Sequence, residues 1–97
     1  MASEGYHEPI GELSDEVRDF HRAVVSLMEE LEAVDWYNQR VAACKDKELA
    51  QILAHNRDEE MEHAAMVLEW IRRKNKRFDH ELRDYLFKDG PIKDHHD

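Results

Sequence analysis

The sequence predicts an all-α fold, an antiparallel hairpin of two long helices followed by a short C-terminal helix. Two observations support this prediction. Apolar residues recur at spacings of three and four along both long segments, as on a helix with one buried face. The chain is 38% charged and holds three Gly and two Pro, a composition that favours helices over a sheet with tight turns. Its 97 residues correspond to a single domain, and a chain this short often gains stability by forming oligomers.

The first helix is expected over about 9–42. Pro9 is tolerated at a first helical position, Ser14 offers a capping hydroxyl, and Asp15 and Glu16 suit the positive end of the helix dipole. The segment then carries an amphipathic stripe, made of Val17, Phe20, Val24, Leu27, Leu31, Val34 and Val41.

The second helix is expected over 46–75. The segment ACKDK interrupts the apolar pattern, and Asp46 within it is a suitable N-cap. At the other end, RRKNKR (72–77) has five basic residues in six. This run could bind nucleic acid, but it falls where the helix should end, and cations there complement the helix dipole.

The third helix is expected over 77–88, where four apolar or aromatic residues share one side: Phe78, Leu82, Tyr85 and Leu86. Gly90 and Pro91 should stop it. The remaining residues, 89–97, form a polar tail, and we expect its His95–His96 pair to be disordered rather than a metal site.

Charge and cysteine content restrict the function classes. A net charge of −9 argues against a general nucleic-acid or anionic-membrane binder and suits a protein that attracts cations. The single cysteine, Cys44, cannot form an internal disulfide and fits a reducing compartment. The first residues resemble no signal peptide, and no apolar run reaches the length of a membrane span. A cytoplasmic protein is expected.

The charged stretch HNRDEEMEHAAM (55–66) interrupts the apolar stripe of the second helix. That stripe steps by four and three as a heptad seam, whose middle is polar: Leu49, Leu53, Asn56, Glu60, His63, Val67 and Trp70. Four other charged residues of the stretch are expected to face outward: Arg57, Asp58, Glu59 and Glu62. An unpaired carboxylate in a seam is costly, so Glu60 needs a partner.

Glu60 and His63 are three residues apart, and both can reach one point in front of the helix. A carboxylate beside an imidazole suits iron, manganese or zinc. The alternative is a buried Glu–His hydrogen bond without metal.

The position of Glu30 supports the hypothesis of a metal site. It lies 14 residues before the turn at Cys44 while Glu60 lies 16 after it, so the two carboxylates are level, about 21 and 24 Å along the hairpin. One Glu plus one Glu-x-x-His is half of the di-iron set of a four-helix bundle. A second copy related by a two-fold axis would supply the other half. Glu30 also fits an inward-facing set with Ala23, Leu27, Val34, Tyr37 and Val41.

Two segments, MEELEAVDWYNQR (28–40) and ILAHNRDEEMEHAAMVLEW (52–70), strongly resemble the encapsulated ferritin family, and the resemblance covers about 7–91. It implies a ferritin-like four-helix bundle formed on dimerisation, dimers that assemble into an annular decamer, and packaging inside an encapsulin nanocompartment. Family members that enter an encapsulin carry an apolar C-terminal targeting peptide. No such motif is evident in GPIKDHHD, so a truncated chain or another targeting route is expected.

The resemblance also implies roles for individual residues. Ferroxidase ligands from both chains would be Glu30, Glu60 and His63, with Tyr37 beside the metals. A metal-access site would comprise Glu29, Glu32 and Trp36, and a peripheral site for calcium or zinc would comprise His55, Glu59 and Glu62. For the last two groups a solvated acidic face is the alternative explanation.

The function expected from the sequence is a ferroxidase. The protein would oxidise Fe(II) to Fe(III) with dioxygen at a di-iron site across a homodimer interface and supply iron for mineral storage. Two alternatives stay open: a non-catalytic divalent-metal-binding protein, and a structural helical oligomer.

Overall fold

The computed structural model describes residues 5–93, and in that range every regular element is a helix. A short 3-10 helix covers Ile10–Glu12 and precedes three α-helices: α1 (Asp15–Ala43), α2 (Lys47–Lys74) and α3 (Lys76–Tyr85). The predicted all-α class is confirmed. None of these helices combines the length and apolar composition needed to cross a bilayer.

Helix α1 begins later than the sequence suggested. The expected helix from residue 9 is divided, because Pro9 caps the 3-10 helix and Leu13 and Ser14 take extended conformations. The Ser14 hydroxyl then accepts a hydrogen bond from the Val17 amide at 3.2 Å, which starts α1. Helix α2 begins where expected, since Asp46 Oδ1 accepts the Leu49 amide at 2.8 Å.

A single residue separates α2 from α3. Asn75 closes α2 through its backbone N–H, which donates to the Ile71 carbonyl, and it caps α3 through Oδ1, which accepts the Phe78 amide at 2.7 Å. Arg72, Arg73 and Lys74 occupy the last turn of α2, as the dipole argument predicted. We call this junction the elbow.

Helix α3 ends earlier than the predicted residue 88. Leu86 caps it and Phe87 adopts a left-handed backbone with φ of 60°, so the helix stops before Gly90 and Pro91 are reached. His95 and His96, assigned to the polar tail, lie outside the described residues.

The helices form a layer rather than a closed core. The Cα atoms span 49 × 41 × 19 Å, and their radius of gyration is 17.1 Å, whereas a compact domain of this length has a value of about 12.5 Å. Among residues 5–93 only Ala64 and Ile71 are buried apolar residues. A protomer of this shape leaves much of its apolar surface open to a partner.

The seam predicted on α2 lies beside the α1–α2 contact rather than at its centre. The buried residues Ala64 and Ile71 face the packed side, and at 100° per residue Glu60 and His63 lie about 40° and 100° around the helix from Ala64. The apolar ends of the seam remain exposed in one chain, at 47% for Leu49 and 37% for Trp70. The seam therefore borders an open face of the hairpin.

Candidate metal centre

Glu60 and His63 are brought together by the pitch of α2. His63 Nδ1 lies 3.6 Å from Glu60 Oε1, and the two side chains are 41% and 27% exposed, respectively. This separation is longer than a hydrogen bond, so the pair is an electrostatic contact whose lone pairs are still available.

Glu30 comes from α1 and carries the least satisfied carboxylate of the region. Its Oε2 is buried and has no hydrogen-bond partner. Burial raises the pKa of the Glu30 carboxyl, the nearby Glu60 and Glu29 carboxylates raise it further, and His63 opposes the shift. These charge interactions place the Glu30 carboxyl within electrostatic range of Glu60 and His63, which agrees with the level positions of Glu30 and Glu60 along the hairpin.

The α1 side of this region follows the predicted inward set. All six members are partly buried: Ala23, Leu27, Glu30, Val34, Tyr37 and Val41. Spacings of four and three keep them on one face of α1, so the fold that packs the apolar members also withdraws Glu30 from water. The orphaned oxygen is thus a consequence of packing two helices through a stripe that contains a carboxylate.

A hydrogen-bond donor or a cation can satisfy a buried carboxylate oxygen of this kind. In residues 5–93 no three His, Cys, Asp or Glu side chains are grouped closely enough to hold a metal ion within one chain. The donors nevertheless fit iron in type, since carboxylate oxygens and an imidazole nitrogen suit that metal. One hairpin therefore presents a partial ligand set on an open face.

Tyr37 lies two helical turns beyond Glu30 on the same face of α1. Its ring is partly buried, and the Arg40 guanidinium carbon lies 5.4 Å from the ring centroid. This is the distance of a cation–π contact. Within one chain, Tyr37 is therefore held by its own helix.

The proposed metal-access residues lie on the outer side of α1. Glu29 is exposed, Glu32 is partly buried and Trp36 is 47% exposed. Glu29 contributes to the raised pKa of Glu30, so this acidic face and the Glu30 carboxylate interact electrostatically. A cation attracted to Glu29 would also feel the charge of Glu30.

The predicted peripheral trio is only partly assembled. His55 Nε2 lies 2.7 Å from Glu59 Oε1, one turn apart on α2. Glu62 instead lines a separate surface depression with Glu69 and Arg73. In this chain His55 and Glu59 form a pair and Glu62 faces elsewhere.

The prediction that Arg57 faces outward from α2 is wrong. Its side chain is 23% exposed, and Nη1 donates to Asn38 Oδ1 on α1 at 3.1 Å. Arg57 lies seven residues before the buried Ala64, hence on the same packed side of the helix. That heptad spacing was readable in the sequence, but the charge of the residue hid it.

An apolar groove runs along the open face beside the candidate centre. It has a volume of about 380 Å³ and is lined from both long helices by Asp19, Arg22, Ala23, Ser26, Met66, Val67 and Trp70. Val67 lies one turn after His63, so groove and polar cluster share a face.

Known proteins resemble this chain along most of its length. An encapsulated ferritin-like protein of Rhodospirillum rubrum is 60% identical over 92 residues, which cover 95% of this chain and 66% of that protein. A ferritin-like protein of Thermotoga maritima is 61% identical over 87 residues, covering 90% of this chain and 76% of that protein. The chain therefore spans about two thirds to three quarters of the length of these relatives.

A solved structure agrees with the sequence comparisons. The crystal structure of a Nitrosomonas europaea protein matches with a TM-score of 0.88 and 74% identity, and the match covers 91% of this chain and 97% of the other. The sequence model of the EncFtn-like family matches residues 5–89. Because that match takes in both long helices and the elbow, the chain belongs to the EncFtn-like family, the encapsulated ferritin-like proteins.

Proposed function

We propose that this protein is a ferroxidase whose site is completed by a second copy of the chain. Each copy contributes Glu30, Glu60 and His63, and the two sets enclose a pair of iron ions that are the substrate. The observation that carries this proposal is the buried, unpartnered Oε2 of Glu30, whose carboxyl interacts electrostatically with Glu60 and His63. An oxygen in that state needs a partner, and an iron ion held together with Glu60 and His63 would supply one.

The open face supports pairing of two copies. Groove residues Met66 and Trp70 are 59% and 37% exposed, and Leu31 on α1 is 54% exposed. Covering such a surface with the same surface of another copy buries apolar area and gives an isologous interface. Two hairpins packed in this way make a four-helix bundle with the polar clusters facing each other at mid-height.

The residues divide the chemical work. Carboxylates of Glu30 and Glu60 tolerate both Fe(II) and Fe(III), because they are hard donors, and His63 supplies a neutral nitrogen ligand. The two substrate Fe(II) ions would each give one electron to dioxygen, which takes up two protons and leaves as hydrogen peroxide. The raised pKa of Glu30 means that substrate binding releases a proton from this carboxyl when it is protonated.

The surrounding residues serve the same reaction. Glu29, Glu32 and Trp36 form the access route for Fe(II), since an acidic exposed face beside Glu30 raises the local cation concentration. Tyr37 lies beside the metals as a weak ligand or a hydrogen-bond donor. His55, Glu59 and Glu62 hold a calcium or zinc ion where subunits meet, once assembly brings Glu62 toward the other two.

The product is Fe(III) for a mineral that the protein cannot enclose itself. A single layer of helices 19 Å thick has no cavity for a mineral core, so storage falls to a surrounding shell. We place the protein in the cytoplasm within an encapsulin compartment, as dimers assembled into an annular decamer. The name of the Rhodospirillum rubrum relative, encapsulated ferritin-like protein, supports the compartment.

Two other functions use the same residues. A divalent-metal-binding protein would hold zinc or manganese without turnover, and a structural oligomer would satisfy Glu60 through a hydrogen bond to His63. The second alternative is disfavoured by the 3.6 Å separation of that pair and by the unpartnered oxygen of Glu30.

An anaerobic Fe(II) titration followed by exposure to air separates these functions. We expect stoichiometric Fe(II) binding without oxygen and rapid growth of Fe(III) absorbance once air is admitted. Binding without oxidation would identify a metal-binding protein instead. No binding would leave the structural oligomer. The titration is read together with sedimentation, since the proposed site exists only in the paired state.

A further inference from the structure

We propose that Asn38 and Arg57 are a positioning pair that sets the height of α1 against α2, so that Glu30 stays level with Glu60 and His63. This inference rests on the proposed function, because it concerns the alignment of the same ligands. It adds two residues that neither contact the substrate nor belong to the predicted site.

The pair joins the two long helices directly. Arg57 Nη1 donates to Asn38 Oδ1 at 3.1 Å, and Arg57 Nε donates to Asp58 Oδ1, also at 3.1 Å. Within residues 15–74, the bond from Arg57 to Asn38 is the one side-chain hydrogen bond between α1 and α2.

The geometry of the bond makes it sensitive to sliding. Counted from Lys45 in the turn, Asn38 lies seven residues back and Arg57 twelve forward, an axial offset of about 7.5 Å. Helical side chains lean toward the N-terminus of their helix, which for Arg57 is the direction of Asn38. The bond therefore depends on this axial offset, and a shift of one helical turn, about 5.4 Å, would break it.

Other features of the hairpin restrain the axial position of α1 relative to α2 less firmly. Apolar contacts are non-directional, and in the described range only Ala64 and Ile71 are buried. The turn at 44–46 constrains one end, but Glu30 and Glu60 lie about 22 Å from it. Arg57 precedes Glu60 by three residues, less than one turn, so its bond acts close to the ligands.

Alignment matters because metal coordination tolerates only small errors. Ligand distances vary by about 0.2 Å in well-formed sites, whereas a one-turn slip of a helix is about 5.4 Å. The composition of the pair also suits its place. Asn38 is a neutral acceptor, and Asp58 balances the charge of Arg57. The hydrogen bonds of Arg57 therefore add no net positive charge near a cation site.

The test compares Asn38→Ala with Gln39→Ala in the full chain. Gln39 is an exposed neighbouring amide on α1 and serves as the matched control. We expect Asn38→Ala to weaken anaerobic Co(II) binding and to raise the KM for Fe(II) by roughly 2- to 10-fold, the factor that one net hydrogen bond represents, with kcat less affected. Gln39→Ala should match the wild type.

Two further variants distinguish positioning from general stability. Asn38→Asp keeps the acceptor and should restore Co(II) affinity to within about twofold. Arg57→Met should weaken binding as Asn38→Ala does, and the double variant should add little, because both changes remove one bond. The visible Co(II) spectrum reports ligand geometry independently of turnover.

The outcomes separate this inference from the proposed activity. Wild-type protein that binds Co(II) but oxidises no iron would overturn the activity, while the cobalt titration would still decide the role of the pair. Equal Co(II) affinities for Asn38→Ala and Gln39→Ala would overturn the positioning role. So would fully additive losses in the double variant.

Discussion

Two charged clusters of this protein, the hairpin middle and the elbow, contain similar residues in opposite states. At the elbow, Glu69 accepts hydrogen bonds from Arg72 at 2.8 Å and Arg73 at 2.6 Å, and Arg72 also pairs with Asp79 on α3. In the hairpin middle, one oxygen of Glu30 is buried without any partner. The first cluster is satisfied within one chain and the second is not.

The pKa shifts express the same contrast. Hydrogen bonds from Arg72 and Arg73 lower the pKa of Glu69 to about 2, and the Arg72 hydrogen bond lowers that of Asp79. Burial and neighbouring carboxylates raise the pKa of Glu30. A satisfied cluster shapes the fold, here by holding α3 against the end of α2. An unsatisfied one is a candidate for binding.

The largest expected effect comes from removing a ligand in the hairpin middle. Glu60→Ala or His63→Ala should abolish ferroxidase activity while the helices stay folded, because in the proposed two-fold dimer each substitution removes two ligands from the site. Iron oxidation assays measure the loss of activity, and circular dichroism melts in chelator measure the stability of the apo fold. Glu69→Ala is the matched control at the elbow and should retain oxidation. A ligand variant that melts much earlier as apo protein yet still oxidises iron would refute the di-iron assignment.

A smaller effect is expected at the access residues. Glu29→Ala, Glu32→Ala or Trp36→Ala should change the initial rate of Fe(II) oxidation on the order of 2- to 10-fold without abolishing it, because in the proposed function these residues govern delivery of Fe(II) and not its coordination. Stopped-flow absorbance at several salt concentrations measures the rate. Complete loss of activity in a folded variant would show that one of them is a ligand.

The elbow can be tested through stability alone. Arg72→Met should lower Tm more than Arg73→Met, because Arg72 bridges α2 to α3 whereas Arg73 bonds only within α2. The loss should be smaller at high salt, since the ion pairs are partly exposed. Equal melting temperatures for the two variants would mean that the bridge to Asp79 does not hold α3.

The smallest effect is a difference in pH response between the two clusters. A raised pKa means that folded protein binds the Glu30 proton more tightly, so this group destabilises the apo fold at neutral pH and stops doing so as pH falls toward 4.5. Glu30→Gln should therefore raise the apo Tm at pH 7 and converge with wild type near pH 4.5. Differential scanning fluorimetry in chelator measures the apo Tm of the variant and of the wild type at each pH.

The elbow should respond to acid in the other direction. The pKa of Glu69 is lowered to about 2, so the stability it supplies is present above 4.5 and is lost as pH falls toward 2. Glu69→Gln should be less stable than wild type at pH 7 and converge with it only near pH 2. A Glu30→Gln variant that followed this second pattern would contradict the unsatisfied state of Glu30.

Much of this architecture was readable along the chain. The apolar periods predicted both long helices, Asp46 and Ser14 were recognisable caps, and the spacing of Glu30 and Glu60 about the turn predicted that the two carboxylates lie level along the hairpin. These features follow from the helix period and from capping, which act over a few residues and are therefore local properties of the sequence.

Other features depended on how the helices rotate against one another. The sequence pointed to a seam through Glu60 and His63, but the fold turned Ala64 and Ile71 toward the packed side and left that seam at the border of an open face. Arg57, assigned outward from its charge, bonds to Asn38. The rotation of each helix about its axis depends on the surface that packs against it, and one chain's periodicity does not specify that surface.

The sequence by itself determined the helices, their caps and the identity of the candidate ligands. The pairing of Glu69 with Arg72 and Arg73 also follows from their spacing of three and four on one helix. Only the tertiary structure decided that one oxygen of Glu30 is buried without a partner. The physical reason is that a carboxylate's state depends on which groups lie within a few ångströms. At Glu69 these are arginines of its own helix, whereas at Glu30 they are Glu60 and His63 of the neighbouring helix.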